Sequence, residues 1–246
     1  MTLNNEEFKV LGQLANASNA TLLVEKVGTK YIYKPQSGER ELWDFPTGTL
    51  YQRERAAYVA AQLFNWDFVP ETTIAHGPFG IGSLQLWQES EITEVDIFAP
   101  DEIPTDWLKV FSGVDEHGQQ VILAHSRDSQ LEKICLFDAV INNADRKAGH
   151  LLTDASGKVW AVDHGVTFNE EPKLRTVLWG WIGEPISTDL IIDLESGLQK
   201  IDQSELTELL SEIELIELTN RIEQTISAGR YPAPNPNWPA VPWPVF

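Results

Sequence analysis

The sequence predicts an α+β chain of two lobes, a β-rich N-lobe over residues 1–90 and a mainly helical C-lobe over residues 91–246. Three observations predict it. Short β-branched and apolar runs, separated by glycine and proline, crowd the N-terminal third around a single helical pattern. An acidic stretch at residues 89–106, with prolines at 100 and 104, then reads as a connector and marks the lobe boundary. Beyond it the apolar residues recur mainly at helical spacing. The length, 246 residues, suits one large domain or two closely packed lobes, and a hydrophobic content of 42% is well above that of a disordered chain.

The elements follow in order. A small-residue turn over Ala15–Asn19 precedes the run ATLLVE, Gly28 makes a second turn, and KYIYKP reads as the returning strand, with Pro35 ending it or lying at its edge. RERAAYVAAQLF reads as a helix, because Ala, Leu, Glu and Arg favour one and Ala56, Val59, Ala60 and Leu63 share a face. GSLQLW, residues 82–87, reads as a buried strand. LEKICLFDAVINN has helical periodicity, and HLLTDASGKVWAVDHG reads as a hairpin turning through Asp154–Gly157. Residues 204–226 read as one or two amphipathic helices with a solvated acidic face. The tail YPAPNPNWPAVPWPVF is expected to be extended, either packed back on the body or awaiting a protein partner.

Composition excludes several classes of function. The formal charge of −19 argues against a nucleic-acid binder, which needs clustered Lys and Arg, and disfavours an anionic membrane surface. A lone cysteine, Cys135, rules out an internal disulfide or a cysteine-built zinc site and fits a reducing cytoplasm. The polar, acidic start does not read as a secretory signal, and no run approaches the roughly 20 apolar residues of a membrane span. A cytoplasmic protein is therefore expected.

The densest polar cluster is INNADRKAGHLL, followed a hairpin later by AVDHG. Asp145 follows a helix and Asp163 ends a strand. Two carboxylates facing each other in this way can hold a divalent cation and a hydroxyl nucleophile, which is what phosphoryl transfer requires. Far upstream, Lys34 lies in an apolar strand, where a lysine calls for a partner. Glu54 on the next helix can be that partner, and Glu39 or Glu41 could take its place. A lysine held by a helix glutamate aims an ammonium at nucleotide phosphates.

These motifs, in this order, resemble the phosphatidylinositol 3-/4-kinase-like superfamily, especially the type II phosphatidylinositol 4-kinases and an uncharacterised bacterial family described as phosphatidylinositol-kinase-related. The resemblance runs from about residue 10 to about residue 190. ATLLVE…YIYKP is similar to the nucleotide-loop strands and the strand of the ATP lysine, RERAAY to the helix of its glutamate, and GSLQLW to the strand entering the adenine hinge. NNADRKAGH is similar to the catalytic loop, AVDHG stands where kinases have Asp-Phe-Gly, and TFNEEPKLRTVLWGWIGEP is similar to an activation loop.

The resemblance implies a protein-kinase-like fold and a kinase that uses ATP with Mg²⁺ or Mn²⁺ to phosphorylate a hydroxyl on an inositol lipid, a protein or a small molecule. By position, Lys34 would contact the α- and β-phosphates, and Glu54 would hold Lys34. Asp145 would orient the acceptor hydroxyl and Asp163 would bind the metal. Ser18 and Asn19 would cover the triphosphate, and Leu86 and Gln88 would belong to the hinge. His150 occupies the metal-binding position five residues after Asp145, where Asn is usual. Imidazole suits Mn²⁺ better than Mg²⁺, so a nucleotide-binding pseudokinase and an AMP-transferring relative are the alternative readings. Lys173, Arg175 and the tryptophans near them are the local features that speak for a membrane, while Leu178, Trp179 and Trp181 read equally well as core.

Overall fold

The computed structural model describes residues 8–14, 19–90 and 93–246. Its first layer is an antiparallel five-stranded sheet of order β1-β2-β3-β5-β4. The strands are β1 (Lys9–Gln13), β2 (Leu22–Lys26), β3 (Thr29–Pro35), β4 (Thr72–Gly77) and β5 (Gly80–Leu86). β2 and β3 are joined through Val27 and Gly28, both at positive φ, 50° and 79°. That twist suits a tight hairpin and explains why a glycine stands there. Leu22, Val24, Tyr33, Ala75 and Leu84 fill a small core beneath the sheet. Across the sheet lies helix α1 (Leu50–Leu63), whose alanines at 56, 57, 60 and 61 are fully buried and let it pack closely.

The C-lobe is built around α2 (Ser129–Val140), capped by Asp128, whose side chain accepts from the Gln130 N–H. Leu131, Ile134, Leu136, Phe137 and Val140 are all inaccessible, so this helix is apolar around most of its circumference and forms the centre of the lobe. The expected hairpin is β9 (Leu151–Thr153) with β10 (Val159–Ala161). Then come α3 (Thr188–Leu198), the short α4 (Leu206–Leu209) and α5 (Glu212–Ala228). A reciprocal cap between Ser211 and Glu214 starts α5, and Gly229 in left-handed conformation ends it. The region 204–226 thus forms two helices. One of its acids departs from the solvated face: Glu214 is buried and pairs with Arg53 of α1, tying the two lobes.

Two parts of the sequence reading need correction. The stretch expected as a connector contains β6 (Val95–Phe98), which joins β7 (Trp107–Val114) and β8 (Gln120–Ser126) in an antiparallel sheet of order β6-β8-β7. The strands give little sequence signal because no residue of β7 is fully buried and a register shift between Lys109 and Phe111 breaks its alternation. Helix α3 was not singled out either. The tail packs back on the body: the Ala148 N–H donates to the Val245 carbonyl at 2.8 Å, and the Thr176 N–H to the Ala240 carbonyl at 3.1 Å.

Close packing of β3 against β5 sets the position of Lys34. A Cβ at Gly82 would lie 2.3 Å from the Lys34 carbonyl oxygen and 2.7 Å from Pro35 Cα. Gly82→Ala should therefore lower stability by about 1–3 kcal/mol in urea denaturation. Gly113→Ala, whose nearest neighbour would be Phe111 at 3.4 Å, should change it by less than about 0.5 kcal/mol. Equal stabilities for the two variants would show that β3 and β5 are not held this tightly.

Candidate active site

The site is assembled from three polar arrangements. After α2 the chain turns through Asn142, at φ 54°. The Asn142 amide donates to the carbonyls of Asn169 and Glu171, and its oxygen accepts from the Lys173 N–H. Next, the Asn143 side chain bridges Asp138, to which it donates at 2.8 Å, and the Asp145 N–H, from which it accepts at 3.0 Å. Finally, Arg146 is wholly buried against Asp138, also wholly buried, at 3.0 Å. It also donates to the Val162 carbonyl at 2.6 Å and to His164 Nε2 at 2.7 Å. One guanidinium thereby fixes the segment around Asp145, the end of the hairpin and the residue after Asp163.

Asp163 itself is left-handed, at φ 60°, which turns its carboxylate away from the hairpin and toward the other lobe. There it meets Lys34, whose Nζ donates to Asp163 Oδ1 at 2.8 Å and to Glu54 Oε1. The second Glu54 oxygen accepts from the His164 N–H at 3.0 Å. Of the three glutamates open to Lys34, Glu54 is the one in contact. Glu39 instead caps α1, accepting from the Leu50 and Tyr51 N–H groups. Burial works against the Lys34 charge, but Asp163 and Glu54 outweigh it and raise its pKa, so the ammonium stays charged. Partial burial opposes the Asp163 charge, and the Lys34 ammonium, by its charge and its hydrogen bond, outweighs it and holds the Asp163 pKa well below the usual carboxylate range.

Asp145 lines the same cavity as Lys34, Glu54 and Asp163, a space of about 400 Å³. Its pKa is raised, first by burial and then by the charge of Asp163, against the opposing charges of Lys147 and Arg175. Lys147 Nζ stands 3.4 Å from Asp145 Oδ2. Asn19 also lines the cavity, and its side-chain oxygen accepts from the Arg40 N–H. Ser18 lies outside the described residues. Leu86 ends β5 opposite Tyr31 and Gln88 follows it, and neither lines this cavity.

His150 Nε2 is 3.3 Å from Asp163 Oδ2. Burial lowers its pKa to about 4, so the ring is neutral. Nδ1 accepts from the Lys147 N–H at 3.4 Å, so Nε2 carries the proton toward Asp163, and a cation bound at Nε2 would have to move that proton to Nδ1. Two ligands of one octahedral ion stand about 3 Å apart when each bond is near 2.1 Å, so this separation suits a shared cation. Among the described residues no cluster of three or more His, Cys, Asp or Glu could hold a metal unaided. Asp163 and His150 alone would leave most of an ion's shell to phosphate oxygens and water.

Several residues of the site were not visible in the sequence. Lys147 had only its place two residues after Asp145 as a signal. Asp138, in an apolar helix, reads as an isolated acid until Arg146 folds onto it. Trp238 reaches the cavity from the distant tail, and no local pattern announces it. Other residues prove to be structural: Leu178, Trp179 and Trp181 are core, and Lys173 is buried in ion pairs with Asp44 and Glu171. His125 is also buried, stacked on Trp181 and accepting from the Gly180 N–H.

The architecture is that of a two-lobed, kinase-like α+β protein. Among solved structures the chain is similar to the Golgi casein kinase, with a TM-score of 0.51 and 10% identity over 90% of this chain and 71% of that one. It also aligns with the Helicobacter pylori proinflammatory kinase CtkA at a TM-score of 0.48 and 13% identity, covering 92% and 93% of the two chains. No family model matches the sequence. Protein Rv2133c of Mycobacterium tuberculosis is 41% identical over 263 aligned positions, spanning 99% of this chain and 94% of that protein. The chain belongs to the family of Protein Rv2133c.

The Asp138–Arg146 pair should be the structural keystone of the loop. Asp138→Ala leaves a buried guanidinium uncompensated and should cost about 3–5 kcal/mol in urea denaturation. A loss below about 1 kcal/mol, the range of an exposed pair, would contradict that role.

Proposed function

We propose that the protein is an ATP- and divalent-cation-dependent phosphotransferase that moves the γ-phosphoryl group to a hydroxyl acceptor. The observation that carries this reading is the Lys34 ammonium bridging Glu54 and Asp163 at the edge of a cavity that also contains Asp145. Three carboxylates are a hostile surface for a triphosphate unless cations stand between them. The kinase-like fold and the His150–Asp163 pair, spaced for one ion, support the same conclusion.

In this scheme Lys34 binds the α- and β-phosphates and Glu54 keeps its ammonium in place. Asp163 and His150 hold the cation, which offsets phosphate charge when bound. Asp145 accepts a hydrogen bond from the acceptor hydroxyl and aims its oxygen at the phosphorus. Its raised pKa suits a group that takes up a proton as the hydroxyl oxygen bonds to phosphorus. Lys147, beside Asp145, lies where it can offset charge on the transferring group. An inositol lipid, the acceptor of the resembled superfamily, is disfavoured by the charge of −19 and by the neutralisation of Lys173 in ion pairs.

The test uses ATP labelled in either the α or the γ position, with Mg²⁺ or Mn²⁺. Transfer of the γ label is expected. Asp145→Ala and Asp163→Ala should each reduce it by about 10²–10⁴-fold while far-ultraviolet circular dichroism stays unchanged. Chelation with EDTA should abolish it. Parent-level transfer in both variants would refute the scheme, and transfer of the α label would replace it with AMP transfer. Tight ATP binding without transfer would favour a pseudokinase.

A further inference from the structure

The cavity extends beyond the phosphate-binding groups to a second set of side chains. Arg40, Trp43, Arg175 and Trp238 line it alongside Asp145. Arg175 is half-buried and held in place. Its Nε donates to the Ala144 carbonyl at 2.6 Å, and its guanidinium lies 5.5 Å from the centre of the Trp238 ring. Its two terminal nitrogens make no hydrogen bond among the described residues. The fork is thus positioned by its inner nitrogen and stacked on an indole, with its outer edge left available. Arg40 is exposed, and its side chain has no ion-pair partner among the described residues.

This is unexpected in a chain with 37 acidic and 18 basic residues. Arg53, Arg55, Arg127 and Arg146 all pair with carboxylates, and a terminal nitrogen of Arg221 and of Arg230 donates to a backbone carbonyl, whereas those of Arg175 do not. Two arginines that line a cavity without a carboxylate partner call for an anion from outside the chain. The position of Arg175 indicates which one. Its Nε is bonded to the residue preceding Asp145, and its charge acts on Asp145. Lys34 is tied to Asp163 instead. Arg175 therefore stands on the acceptor side of the site.

We propose that Arg175, with Arg40, binds an anionic group carried by the acceptor, so that the substrate is a hydroxyl compound bearing a phosphate or carboxylate of its own. This rests on the phosphotransferase reading and adds the substrate class. A guanidinium fork matches the two oxygens of such a group, and the Trp43 and Trp238 faces can cover the carbon skeleton that joins it to the hydroxyl. A soluble metabolite and a lipid headgroup both carry such an anion, and the two are separable by experiment.

The full-length protein is titrated calorimetrically with glycerol 3-phosphate and with glycerol, both alone and with a non-hydrolysable ATP analogue and Mn²⁺. Flotation with phosphatidylglycerol-containing vesicles forms the lipid arm. Glycerol 3-phosphate or the vesicles should bind at least about tenfold more tightly than glycerol or neutral vesicles. Arg175→Ala should remove that preference, Arg175→Lys should restore part of it, and neither should change the affinity for the nucleotide analogue. Arg40→Ala, at an exposed position where folding is not at stake, should weaken the same preference. Equal binding of charged and neutral probes, binding of neither, or a preference that survives both Arg175→Ala and Arg40→Ala would overturn the proposal. Loss of nucleotide affinity in Arg175→Ala would also overturn it, by assigning the fork to ATP. If the analogue fails to bind while arginine-dependent probe binding persists, the phosphotransferase reading falls and the anion subsite stands.

Discussion

One ammonium group sets the relation between the lobes. Lys34 projects from β3, accepts the support of Glu54 from α1, and reaches Asp163 beyond β10. Glu54 is almost completely buried, while the Asp163 side chain is 46% exposed, so the bridge runs from a dry anchor to a wet cleft. A carboxylate sealed in this way needs a fixed cation, and a cation with two anionic partners stays charged. The exposed end can exchange partners. In the proposed phosphotransferase, a phosphate oxygen would share Lys34 while Asp163 turned to a cation, and the buried Glu54 would hold the lysine through that change.

The bridge works only because both sides are rigid. On the N-lobe side, the absence of a side chain at Gly82 lets β5 lie directly against the Lys34 backbone. On the C-lobe side, Arg146 draws together α2, the Asp145 segment and His164 around a buried charge pair. The tail adds a further restraint, hydrogen-bonding to Ala148 and Thr176 on either side of the loop. Further ties between the lobes run through Arg53–Glu214, Arg55–Glu205 and Lys173–Asp44. The acidic region 204–226 thus also ties the lobes together, since Glu205 and Glu214 hold α1 in place.

Much of this was legible in the sequence. Periodicity located α1, α2, α5 and the β9–β10 hairpin, because each buries a continuous apolar face. The same logic failed for β6 and β7, half of whose residues are exposed, and for β8, whose residues 122–125 are buried in succession, so that none of the three alternates. For the site, spacing and residue type brought Lys34, Glu54, Asp145, His150 and Asp163 to attention; the fold places Lys34, Glu54, Asp145 and Asp163 around one cleft, with His150 against Asp163. What the sequence could not give was assignment among equals. Glu39 and Glu54 look alike until one is seen capping a helix and the other gripping Lys34. The sequence was also silent on long-range partners such as Asp138 with Arg146 and Trp238 with Arg175, whose meaning exists only in three dimensions.

The most direct measurement is a crystal structure of the protein with a non-hydrolysable ATP analogue and Mn²⁺, using anomalous scattering to locate the metal. The account predicts a metal peak bonded to Asp163 and His150, with Lys34 against the α- and β-phosphates and the terminal phosphate facing Asp145. A nucleotide bound away from this cleft, or a metal that leaves both Asp163 and His150 free, would contradict it.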